Sequence, residues 1–286
     1  MKREGIRIED ICEENFDDLE SLYLTEERLS DPLIIEGDLL WKKWMRHNLR
    51  RYNSVGKIAY LDSKPVGMIQ YVPKPKQRVV EIKWTFVKKE EKNDGIEETL
   101  LKETFDEFNK PKRYFDHKKA EAFLAYPASF SNSKDKQFDL YKENGFERIS
   151  RKNKTILYYY TTEDDSKIDL DIDKFPLEKP RDKALILLNP NSPYCVKEAI
   201  DTLQEIRRCS DDIPIKLVSR LEEPEEFIYA FSMPISLVVK DKILDLQSIK
   251  DTDISDELNK VIDNEKELED SIGISDRSME KISEGK

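Results

Sequence analysis

The chain has 286 residues and a formal net charge of -11, with charged and hydrophobic residues at 38% each. That length suits about two domains. An acidic surface repels phosphate backbones and anionic lipids, so nucleic acid and membranes are poor partners, whereas a small-molecule amine or a Lys-bearing peptide fits; the same charge also serves solubility alone. Cys12, Cys195 and Cys209 are too scattered for a disulfide framework, and no metal-ligand spacing is present, so no metal is expected. A charged start and the lack of any apolar run near 18 residues make a cytoplasmic setting the expectation.

In chain order, Ile6 to Ile8 reads as a strand, and Asn15 as the N-cap of a helix reaching Tyr23. A second helix is expected from Asp38 to Tyr52. Its stripe of Leu40, Trp41, Trp44, Met45 and Leu49 is flanked by Lys and Arg, which reads as a core-facing side with a solvated basic face. Lys57 to Leu61 and Val66 to Val72 form a hairpin around a polar Pro-bearing turn. Val79 to Val87 is a buried strand. Strict alternation would place Glu81, Lys83 and Thr85 on one side and Ile82, Trp84 and Phe86 on the other. A charged loop then leads to Gly95 and a helix faced by Ile96, Leu100, Leu101, Phe105 and Phe108. Ala120 to Tyr126 is a further strand. A helix from Ser133 to Asn144 ends at Gly145, and a closing hairpin runs to Thr161.

Three stretches carry a resemblance to the GNAT superfamily of acetyl-CoA-dependent N-acetyltransferases. The first is Gly67-Met68-Ile69-Gln70-Tyr71. The second runs from Val87 through Lys92-Asn93-Asp94-Gly95-Ile96-Glu97, at the spacing of the family's phosphate loop. There, backbone amides at a helix N-terminus meet the CoA pyrophosphate. Lys92 stands where Arg or Gln is usual and Glu97 where Gly or Ala is usual. Glu90, Glu91, Asp94 and Glu98 add negative charge that suits the helix dipole but competes with phosphate. The third, Phe138 to Glu147, is similar to the family's Leu-Tyr-Glu-Lys-x-Gly-Phe helix end.

The resemblance implies a mixed α/β sheet flanked by helices. It also implies acetyl-CoA as co-substrate, with Phe86 and Val87 holding the acetyl carbonyl and pantetheine arm, and residues 92 to 97 holding the pyrophosphate. Tyr141 takes the position whose phenol protonates the departing thiolate, or is simply packed. Glu81 has the offset of a general base, with burial expected to raise its pKa; otherwise it is a solvated or Lys-paired residue.

Residues 1–162 are therefore expected to form the acetyltransferase domain, followed by an acidic linker at 163–182. Over 183–252, a strand enters Ser192-Pro193-Tyr194-Cys195 and a helix, and Met233-Pro234 precedes further strands. This resembles a thioredoxin or glutaredoxin, in the manner of GNAT proteins with a YoaP-like C-terminal domain. Ser192 replaces the attacking thiol, which implies a redox-silent module holding a protein or peptide ligand beside Pro234. Residues 253–286 read as an acidic helical tail. The function expected is N-acetyl transfer to a primary amine, with a catalytically inactive acyl-CoA- or peptide-binding protein as the alternative.

Overall fold

The computed structural model describes residues 5–24, 30–91, 95–125, 134–150, 156–161, 184–209, 215–219, 235–239 and 242–244. The expected linker, the Met233-Pro234 step and the acidic tail lie outside these residues.

Strand β1 (Ile6–Asp10) leads into α1 (Phe16–Tyr23). Asn15 holds the N-cap position, but its carboxamide does not cap: it accepts from the Cys12 N–H at 2.9 Å and donates to the Asp10 carbonyl at 3.0 Å. Helix α2 (Pro32–Tyr52) starts well before the expected Asp38. The Asp31 carboxylate accepts from the Leu33 N–H at 2.9 Å, and Pro32 occupies the first turn where no amide partner is needed. Asp38 is instead an interior, buried residue.

β2 (Gly56–Leu61) and β3 (Lys64–Lys74) form the expected hairpin, and β4 (Val79–Val87) follows. The hairpin turns on Asp62 and Ser63, both at positive φ, as a tight two-residue connection requires. α3 (Ile96–Phe108), β5 (Ala122–Ala125), α4 (Lys134–Glu143), β6 (Glu147–Ser150) and β7 (Ile156–Thr161) complete the first layer set. The sheet order is β1-β2-β3-β4-β5-β7-β6, with β4 and β5 parallel and every other pair antiparallel. This is a mixed sheet flanked by helices.

Each sheet face has its own core. Trp41, Trp44 and Met45 of α2 and Leu19 of α1 cover one face, against Ile58, Met68 and Val72. Ile96, Leu100, Leu101 and Phe108 of α3 cover the other, together with Tyr141 of α4, against Ile69, Tyr71, Val80 and Ile82. Burying each such side chain contributes about 2 kcal/mol relative to exposure, which outweighs the weak intrinsic preference of these short helices. The end of α4 follows its sequence closely. Gly145 sits at φ 85, its N–H donates to the Lys142 carbonyl, and the Phe146 N–H donates to the Tyr141 carbonyl.

A second, four-stranded sheet is built from β8 (Ala184–Leu188), β9 (Ile215–Ser219), β10 (Ile235–Val239) and β11 (Lys242–Leu244), with α5 (Cys195–Cys209) following β8. Its order is β11-β10-β8-β9. β8 and β9 are parallel, and β10 runs antiparallel to both β8 and β11.

Candidate active site

The C-terminal half of β4 organises the site. Gln70 of β3 pairs with Trp84 while the next residue, Tyr71, pairs with Ile82, so Lys83 is the extra residue of a β-bulge. The bulge reverses the side-chain alternation expected from the sequence. Ile82, Thr85 and Val87 face the α3–α4 side, whereas Trp84 and Phe86 pack on the α1–α2 cluster. Glu81, opposite Val72, also faces the α1–α2 side. The described pairing with β5 reaches Ile82 and Ala125, and among the described residues no strand pairs with residues 83–87 on that side. A strand end with one side unpaired can offer backbone donors and acceptors to an extended ligand.

The helix that follows is pinned to this strand end. Gly67 is where they meet: a Cβ there would lie 2.8 Å from Val87 Cγ2, 2.9 Å from the Phe86 carbonyl and 3.4 Å from Ile96 Cγ2. Gly95 enters α3 at φ 70 and supplies no side-chain cap, so the first-turn amides have no side chain of their own N-cap to satisfy them. Glu97 and Glu98 stand in that turn, and Ile96 is buried beneath it. Lys92, Asn93 and Asp94 lie outside the described residues.

Tyr141 is 2% exposed, and its hydroxyl lies 3.3 Å from Thr85 Oγ1, with either group able to donate. Burial pushes its pKa up to about 12; the Thr85 contact opposes this and the Glu97 charge adds to it. The phenol therefore stays protonated at neutral pH. Its pKa is above that of an ordinary thiol by roughly three units, so it is suited to donating a hydrogen bond to an anion rather than to transferring its proton outright.

Glu81 departs from the expectation of a raised pKa. It is 1% exposed, and its Oε2 lies 2.9 Å from Lys83 Nζ and 3.1 Å from Lys74 Nζ. Burial alone would raise the carboxyl, but the two ammonium groups outweigh it and hold the pKa below the usual glutamate value. Its contacts are ion pairs rather than well-aligned hydrogen bonds, and Oε1 has no partner. The Lys pairing that the sequence left open is what the structure contains.

Gln70 was not singled out by its sequence. It is fully buried between Met68 and Val72 on the Glu81 face, and neither carboxamide atom has a hydrogen-bond partner. The signal was a lone amide in an apolar strand. Asp38 of α2 is similar: burial, and then Asp17, push its carboxyl up to about 6, with Lys42 3.1 Å away. Among the described residues no group of His, Cys, Asp and Glu could hold a metal ion, and no helix is long and apolar enough to cross a membrane.

No family model and no curated protein matches this chain. Solved structures do, over about 55% of it. The PaiA N-acetyltransferase of Thermoplasma acidophilum, in complex with coenzyme A, is 18% identical, with a TM-score of 0.40 over 55% of this chain and 99% of that one. A GNAT-family acetyltransferase from Staphylococcus aureus Mu50 is 18% identical, at 0.41 over 56% of this chain and 100% of that one. Arabidopsis thaliana Naa50, with a bisubstrate analogue, is 17% identical, at 0.38 over 55% and 99%.

Proposed function

We propose that residues 1–162 form an acetyl-CoA-dependent N-acetyltransferase acting on a primary amine. The observation that carries the reading is the convergence at the end of β4. There Gly67 draws α3 against the strand, and Tyr141 approaches from α4. The pantetheine arm would pair with the backbone near Phe86 and Val87, while the amides from Ile96 onward meet the pyrophosphate. When bound, acetyl-CoA supplies the activated acetyl group.

The chain's own groups divide the work across the sheet. Tyr141, on the α3–α4 side, donates to the sulfur as it leaves. Glu81 and Gln70, on the α1–α2 side, face the approach of the amine. Glu81, ionised and paired, orients the amine by charge and accepts its proton with the modest driving force of a weak base. The acceptor is a small-molecule amine or a Lys-bearing peptide.

Glu97 and Glu98 at the helix entrance favour a second reading, an acyl-CoA-binding protein without catalysis. Incubating the protein with radiolabelled acetyl-CoA and a panel of polyamines and Lys peptides separates the two. Label appearing on an amine supports the enzyme. Tight binding without transfer to any acceptor supports the binder.

Residues 183–252 are proposed to be thioredoxin-like and redox-silent. Support comes from the order β11-β10-β8-β9, the lone parallel pair β8–β9, and a helix opening at Cys195 directly after the first strand. Burial, then Glu198, push the Cys195 thiol up to about 12, so the thiolate needed for exchange is scarce at neutral pH.

A further inference from the structure

The turn that opens α5 faces inward. Asn191, Ser192 and Cys195 are 5%, 4% and 0% exposed. Helix α2 lies against this turn at its one glycine. A Cβ on Gly37 would fall 2.0 Å from the Pro193 carbonyl oxygen and 3.0 Å from its carbon, so only a residue without a side chain fits. Apolar groups cross in both directions around this backbone contact. Leu33 and Leu40 of α2 pack into the cluster that holds Ile186, Cys195 and Ala199. Tyr194, from the turn itself, packs into the α1–α2 cluster of the first sheet. At the rim, Lys197 Nζ lies 3.3 Å from Asp31 Oδ2, the residue that caps α2.

We propose that the Ser192–Cys195 turn is a fixed intramolecular docking surface whose partner is α2 of the same chain. The second domain then clamps the helix that covers the Glu81 face, instead of presenting an open thiol or peptide site at this turn. The interface has the anatomy of a stable contact: a centre of apolar side chains from both elements and a charged rim. A nucleophile at position 192, sealed beneath a helix, would have no access to a disulfide. This inference stands on the contacts alone and survives if the acetyltransferase reading fails.

The test is thiol reactivity in the full chain carrying Cys12→Ser, Cys195→Ala and Cys209→Ser, so that Ser192→Cys introduces the single thiol. Its rate with the aromatic disulfide DTNB is measured before and after denaturation, with cooperative melting as the folding control. Protection of at least 100-fold in the folded protein is expected. Gly37→Leu, which favours helix more than glycine does, should raise the folded-state rate at least tenfold by pushing Pro193 away. Lys197→Glu, facing Asp31, should raise it by a smaller factor, and decides the matter if Gly37→Leu does not melt cooperatively. A folded protein whose introduced thiol reacts at the denatured rate overturns the proposal. So does protection that neither Gly37→Leu nor Lys197→Glu relieves.

Discussion

Thr85 Oγ1 lies 3.3 Å from the Tyr141 phenol, which joins β4 just past its bulge to the last turn of α4. This contact exists because Lys83 reverses the alternation of the strand. Without the bulge, Thr85 would face the other side of the sheet and Tyr141 would meet an apolar residue.

Tyr141→Phe keeps the ring against Phe146, 5.0 Å away between centroids, and removes only the hydroxyl. Stability should change by about 1 kcal/mol, the value of one hydrogen bond. The maximal rate of acetyl transfer should fall roughly 10²-fold with unchanged acetyl-CoA affinity. Because the pKa is pushed up to about 12, the wild-type rate should show no alkaline loss from this group below about pH 11. Steady-state kinetics of both forms across pH checks each point.

Glu81 and Glu107 share one kind of pH dependence. Glu107 is drawn below its usual pKa by Lys57, 2.7 Å away, and by Lys112 at 3.1 Å, against the opposing effect of burial. Both carboxylates have lowered folded-state values, so their stability contribution is complete above the unfolded value near 4.3 and is lost as pH falls through the lower folded values. The share of the urea midpoint due to Glu81 and Glu107 should therefore hold between pH 5 and 7 and drop below about pH 4.3, whereas Asp38, pushed up to about 6, should lower the midpoint as pH rises towards that value. Glu81→Gln should destabilise by about 3 kcal/mol, because Lys83 loses its buried counter-charge. Activity of the wild type should show no acid limb from Glu81 between pH 5 and 7.

Gln70→Leu should raise the melting temperature of the free protein. A buried carboxamide with no partner costs about 1–3 kcal/mol, and leucine fills a similar volume between Met68 and Val72. If the amine passes this residue, the same variant should raise KM for the acceptor and leave acetyl-CoA binding alone. Calorimetry and steady-state kinetics read the two effects separately. A lower melting temperature would mean that the amide is satisfied by solvent.

Much of this was legible in the sequence. The stripe from Ile96 to Phe108 and the Gly145-Phe146 step specify α3 and the end of α4, because apolar period and glycine chemistry act locally. The expected start of α2, at Asp38, is too late: Asp31-Pro32 carries the cap and the first-turn proline, and Asp38 lies inside the helix with its carboxyl buried. The β4 bulge left no mark: an inserted residue in an apolar strand changes which face each side chain meets without changing composition. The Lys74–Glu81–Lys83 arrangement depends on that register, so the direction of the Glu81 shift did too. The docking of α2 on Pro193 rests on a single glycine, Gly37, whose meaning appears only when the two sheets are in place.

Replacing Glu97 with Gly should tighten acetyl-CoA binding by about 1 kcal/mol, roughly fivefold, by removing a partly screened negative charge from the first turn of α3. Fluorescence or calorimetric titration of both proteins checks this. Added salt should narrow the difference.

If the end of β4 and the start of α3 take acetyl-CoA, isothermal titration of the purified full chain with acetyl-CoA and with CoA will show it. The expected result is one site per chain for both ligands, weakened by Gly67→Ala, whose added methyl would strike Val87 and the Phe86 carbonyl. No heat of binding for either ligand at millimolar concentration, from protein that melts cooperatively, would contradict it.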